Sequence, residues 1–253
     1  MFNRWLSCIP LKYKPEWSLT KNNFQDALHM RFNCLPRNCP VICPAQRCME
    51  PFNLKHIDSC PYGGVVIRRH EYIKNIFSKH AEKSFGTACV SVEPGLGELN
   101  EEEIQLISGN ITKEARADII ITDYDGTQTS SYFDVSVISA ICDTHIENDV
   151  LQTLKLGEKR KNAKYGARIK IQFGSNFYPL LLSSGGAMGP MALKAIKQIS
   201  RKRAKFSMEN ASEIASEMKN DISMSLIKSR IQGLRCNRNP LATQIHNIRN
   251  SYN

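Results

Sequence analysis

Three thiols and an imidazole stand in the order Cys43, Cys48, His56, Cys60, separated by four, seven and three residues. Soft donors at that spacing can close a tetrahedral zinc site with all four positions filled by protein, so the metal would be structural. Cys39 could replace Cys43 as first ligand. The segment needs such a staple, because CLPRNCPVICPAQRCMEPF holds four prolines and no regular apolar period.

Harder ligands lie in RADIIITDYDGTQTSSYFDVSV, from Arg116 to Val137. Asp118 and Asp134 each interrupt an apolar run where a strand would bury hydrocarbon. By strand parity Asp118 shares a face with Ile120 and Thr122, and Asp134 with Tyr132, Ser136 and Ile138. If the two faces coincide, the carboxylates approach each other. Two such groups on a half-dry face repel, and desolvation drives one to keep its proton. A hard cation such as Mg²⁺ relieves both costs. The structural alternative is an aspartate that caps a helix or pairs with a lysine of the helix that follows. On that helix Glu158, Lys161 and Tyr165 share one face, so an ammonium and a phenol could point at the aspartates together. Near a scissile phosphate the lysine would stabilise developing charge or orient water. The alternative is a solvated basic face among Lys155, Lys159, Arg160 and Lys164.

These residues must be positioned by ordinary elements. SLTKNNFQDALHMRFN reads as a docking helix capped by Ser18 or Thr20, and RRHEYIKNIFSKHAEKSF as a second helix with Tyr72, Ile73, Ile76, Phe77 and Ala81 on one stripe. ACVSVEP, ADIIIT, SYFDVSVIS and RIKIQFG read as strands, the middle pair joined by a hairpin at Asp125-Gly126. The spacing predicts a helix over Glu147 to Tyr165 with Gly166 as its stop. Two more helices follow, in MGPMALKAIKQISRKRAKF and ENASEIASEMKNDISMSLIKSRI. This order describes a single α/β layer structure with helical additions at both ends.

The chain has 253 residues, ordinary globular composition and a net charge of +10. From Lys194 onward twelve Lys or Arg stand against four Asp or Glu, so much of the excess sits at the end. Such a balance points to a polyanionic partner. The start carries no signal-peptide core and no apolar run reaches the ~20 residues that span a bilayer, which predicts a soluble intracellular protein with reduced thiols.

From roughly Trp5 to Ile199 the chain resembles the C-terminal part of non-LTR retrotransposon reverse transcriptase polyproteins that carry a restriction-endonuclease-like domain. The matches run in order: Trp5-Leu6, the F..AL..R segment from Phe24 to Arg31, Cys43 through Cys60, RRH at Arg68 to His70, and EP at Glu93-Pro94. RADI follows where the family usually has arginine, proline, aspartate, then FDVSV, K..KY at Lys161 to Tyr165, and YPL...GG from Tyr178 to Gly186.

The resemblance implies a PD-(D/E)xK mixed sheet flanked by helices, preceded by a CCHC zinc knuckle and followed by a basic helical tail. Its implied limits are 1–38 for the segment after the polymerase, 39–66 for the knuckle, 67–200 for the endonuclease domain and 201–253 for the tail. It makes Asp118 and Asp134 the Mg²⁺ ligands and Lys161 the catalytic lysine, with Tyr165 beside it. Simpler members place the lysine two residues after the second acid, where this chain has Ser136. Ala117 stands for the usual proline, and Glu71 or Glu82 could complete the site from the first helix. The implied activity is nicking of DNA to prime reverse transcription in the nucleus, or in the cytoplasm. DNA would be the partner, with retrotransposon RNA and a separate reverse transcriptase chain as further ones and no membrane. No polymerase palm is encoded here. A catalytically inactive nucleic-acid-binding remnant and a zinc-stapled protein-interaction domain are the alternatives.

Overall fold

A computed structural model describes residues 4–8, 14–36, 39–107, 112, 114–139 and 149–236. The predicted helix start at Glu147, and all residues beyond 236, lie outside that set. The elements in chain order are α1 (Lys21–Arg31), α2 (Leu54–Ser59), α3 (Val65–Phe85), β1 (Val90–Val92), α4 (Glu101–Leu106), β2 (Ile119–Thr122), β3 (Ser130–Ile138), α5 (Val150–Lys161), α6 (Ala167–Phe173), β4 (Asn176–Ser183), α7 (Pro190–Ala204) and α8 (Ala211–Cys236).

The strands form one mixed sheet in the order β1-β2-β3-β4, antiparallel at the first two pairings and parallel at the last. A parallel pair needs a crossover, which α5 and α6 supply. The molecule is therefore α/β, a mixed open sheet with helices on both faces. On one face Ile119, Ile121, Phe133, Val135, Leu180 and Leu182 pack against Ile73, Phe77 and Ala81 of α3 and Ile196 and Ile199 of α7. The other face holds Tyr132 with Ile169 of α6, and Leu181 with Leu154 of α5. Gly157 lets α5 approach closely, since a Cβ there would collide with Leu181.

The hairpin turns at Gly126, whose φ of 74° suits glycine. Asp125 pins it by accepting from Ser131 Oγ, Asn176 Nδ2 and the Tyr178 hydroxyl. RIKIQFG, expected as a strand, is helix α6 and its C-terminal Gly174 in αL; the strand lies further on, in NFYPLLLS. The alternation of RIKIQF is overridden because the buried Arg168 guanidinium donates to the Gly97 and Thr112 carbonyls from a helical backbone. Nor does Gly166 stop the preceding helix. A π-helical turn over Asn162–Gly166 carries it into α6.

The residues read as a basic tail include α8, which is far from an appendage. Its Met218, Ile222 and Leu226 join the sheet core, and its Met224, Ile227, Ile231 and Leu234 join a second core with Trp5, Trp17, Ala27, Met30 and Ile57. Buried Asp58 of α2 ties these parts together. Its carboxylate accepts from Arg230 Nε of α8 (2.8 Å) and Ser184 Oγ (2.9 Å), and its carbonyl from Arg69 Nη2 of α3 (2.9 Å). No helix among the described residues is long and apolar enough to cross a membrane.

Candidate active site and metal centre

Asp118 sits just before β2. Its N–H donates to the Phe133 carbonyl at 3.0 Å and its carbonyl accepts the Glu93 N–H at 2.9 Å. The β2–β3 ladder ends at Ile119 and Phe133, and beyond it the Asp118 side chain stands in for backbone, Oδ2 accepting the Val135 N–H at 2.6 Å. His70 Nε2 of α3 lies 3.1 Å from the same oxygen. Asp134 is on β3, and Lys161, the last residue of α5, brings Nζ to 3.1 Å from its Oδ1 and 2.9 Å from its Oδ2. The expected faces coincide, because Ile120 pairs with Tyr132.

Burial pushes the Asp134 carboxyl above its usual value and the nearby Asp118 charge adds to this, against the pull of Lys161 and Ser136. Ser136 Oγ, at the position where simpler members of the expected fold carry lysine, donates to Asp134 Oδ2 at 3.2 Å. The hydrogen bond to Asp118 raises His70, whose Nδ1 meets Glu71 at 3.2 Å. Glu71 also pairs with Lys74, which reaches Glu93 as well. A relay of charged groups thus runs from Asp118 along the edge of α3. Its members His70, the last residue of the RRH motif, and Glu93 stand in motifs of the sequence, but no sequence period shows that they meet.

Tyr165 is held beside Lys161 by its ring. The ammonium groups of Lys161 and Lys164 lie 5.6 and 5.0 Å from its centroid, and the ring tilts on Phe177 at 5.7 Å. The π-turn presents this group, a bulge type frequent at functional sites. Glu158 does not join them. It is buried, and its Oε1 accepts the Met191 N–H at 2.9 Å, satisfying the first turn of α7. Ala117 occupies the expected proline position, and its N–H donates to the Pro94 carbonyl at 3.2 Å, a bond no proline can make.

The cysteine segment folds around its ligands. Asn53 caps α2 by accepting the His56 N–H at 2.8 Å, and the Cys43 and Cys48 N–H groups donate to Glu50 and Ala45 carbonyls, both at 2.9 Å. Cys43 and Cys60 sulfurs are 3.9 Å apart, Cys48 and Cys60 3.9 Å, and Cys48 Sγ lies 3.3 Å from His56 Nε2. Ligands about 2.3 Å from a tetrahedral ion are separated by about 3.8 Å, so the quartet can hold a metal such as zinc. All four donor atoms lie within 4.8 Å of one another, and no other such group forms among the described residues. The group that comes together contains Cys43, and Cys39 stands outside it. Burial pushes the Cys43 thiol up to about 12, which disfavours the thiolate until a cation compensates it.

No protein-family model matches this chain, and no curated protein matches it. The functional reading therefore rests on the site itself. An Asp134–Lys161 pair alone is what a purely structural ion pair would also show. Here a second carboxylate lies alongside, burial raises Asp134, and about a third of Lys161 is exposed.

Proposed function

We propose that the chain is a metal-dependent DNA endonuclease of the restriction-endonuclease-like class, carrying a structural zinc knuckle, that nicks DNA for retrotransposon integration. The meeting of Asp118, Asp134 and Lys161 on one face of the mixed sheet carries this reading. The pair offers carboxylate oxygen to a divalent cation, which would have to displace Lys161 from Asp134. Asp118 Oδ2 is committed to His70 and Val135, while Oδ1 makes no hydrogen bond among the described residues, and Asp134 is destabilised as an anion by burial.

Mg²⁺ held by Asp118 and Asp134 would supply a bound water of lowered pKa. The protein's own groups do the rest. His70 and the Val135 N–H fix the Asp118 carboxylate. Lys161, steadied over the Tyr165 ring, stabilises negative charge developing on the scissile phosphate. The net charge of +10 favours capture of the polyanion.

A second reading, a nucleic-acid-binding remnant without cleavage, is favoured by the direct contact of Lys161 with both Asp134 oxygens. Nicking of supercoiled plasmid in Mg²⁺ at low salt, with zinc retained, separates the two. The wild-type chain should nick and Asp134→Ala should not. Binding without nicking by either chain would establish the remnant.

A further inference from the structure

On the side of α3 away from His70 and Lys74 lies an open groove of about 1470 Å³, bounded by the Lys14–Thr20 segment, α3 and α8. Tyr72, Asn75, Lys79 and Lys83 form an exposed stripe along its α3 wall, three to four residues apart as one helix face requires. The floor is apolar, with Leu19, Ile76, Met224 and Ile231. Most of the charge around it is already matched. Lys14 pairs with Glu217 and Asp221, and Arg235 with Asp26. Lys79 and Lys83 have no ion-pair partner among the described residues. Among the described residues Lys228 donates to the Glu16 carbonyl, at 2.6 Å, and has no ion pair. Of the lining acids Asp221 is taken up by Lys14 and His80, which leaves Glu82 near Lys79 and Lys83 and Glu16 near Lys228 as partial offsets.

A buried polar atom without a partner lies beneath the groove wall. His80 lines the groove and is 3% exposed. Its Nε2 lies 2.8 Å from Asp221 Oδ2, and Nδ1, fully buried, has no hydrogen-bond partner. With Nε2–H donating to the carboxylate, Nδ1 is an acceptor waiting for a donor. Asp221 cannot turn to it, being held also by Trp17 Nε1 at 2.7 Å.

We propose that this groove binds a single-stranded stretch of nucleic acid, with a base stacked on Tyr72 and phosphates on Lys79, Lys83 and Lys228. A strand of this kind suits the groove. Its bases offer flat apolar faces to Tyr72 and the aliphatic floor, and its phosphates neutralise the ammoniums of Lys79 and Lys83. Burial lowers Lys228, and an anion beside it would favour the charged form. An amphipathic protein helix would leave those lysines desolvated against an apolar partner. The inference is independent of the endonuclease reading.

The test uses the full zinc-loaded chain and a fluorescent oligodeoxynucleotide of about twelve nucleotides carrying 5-iodouracil, a length within the usual range of single-strand sites. Anisotropy is measured across a salt series without added Mg²⁺, so a chain that never nicks still answers the question. Tyr72→Ala should weaken binding roughly tenfold. Lys79→Ala with Lys83→Ala should flatten the salt slope by about 1.4, two phosphate contacts' worth. Photo-cross-links should map to Tyr72 or its groove neighbours. All three residues are exposed, so the variants should melt with the wild type. Unchanged affinity and slope in both variants, or cross-links confined to the zinc module and the sheet, would overturn the proposal and leave the groove to a protein partner.

Discussion

Lys161 Nζ lies within 3.1 Å of both oxygens of Asp134, a residue 27 positions earlier in the chain. The contact joins the end of α5 to the middle of β3, on the face where Asp118 also stands. If the lysine serves the scissile phosphate, Lys161→Ala should slow single-turnover plasmid nicking by about 10²–10³-fold. DNA affinity should change little, because one phosphate contact among many is lost. Equal losses in binding and in rate would reduce Lys161 to an anchoring cation.

The zinc quartet makes a stoichiometric prediction. Elemental analysis of the purified wild-type chain and of Cys39→Ser should find zinc at equal content. Cys43→Ser should lose it, with a fall in melting temperature, because the Pro-rich loop between Cys39 and Phe52 loses the ion that staples it. Zinc retained by Cys43→Ser and lost by Cys39→Ser would reverse the assignment of first ligand.

Asp58 is 1% exposed and faces two guanidinium groups. Burial lowers Arg69 below its usual value against the pull of Asp58. Asp58→Ala would strand both cations and should cost about 3–5 kcal/mol in urea denaturation. A cost below about 1 kcal/mol would mean that water reaches them.

Acid should unfold the chain in a narrow window. Burial raises Asp125 and Asp221, but stronger opposing contacts leave both below the usual aspartate value: Asn176, Tyr178 and Ser131 around the first, His80 and Trp17 around the second. A depressed folded value stabilises above the unfolded value of about 3.9 and is lost as pH falls through the folded one. The urea midpoint should therefore hold from neutral pH to about 5 and drop below about 4. Asp125→Asn should make the drop shallower, and an unchanged profile would refute its share.

Local signals carried part of this architecture. Parity placed Asp118 and Asp134 on one face, Asp125-Gly126 marked the hairpin, and ligand spacing marked the quartet. What failed depended on partners distant in sequence. RIKIQF alternates like a strand, yet it is helical, and its Arg168 donates to carbonyls at Gly97 and Thr112, far away in the sequence. Glu158 shares a helical stripe with Lys161 but is drawn to the start of α7. The Asp58, Arg69, Arg230 cluster spans 172 positions between α2 and α8, and no window of sequence displays it.

Helix α3 commits successive residues to different neighbours: Arg69 to Asp58, His70 to Asp118, and Tyr72 to the groove. Each residue added or removed would turn everything downstream by about 100°, and no compensating shift could restore three directions at once. Length variation in descendants of this chain should therefore collect outside α3, beyond Gly64 and Gly86, while substitutions inside it remain open wherever a side chain faces water.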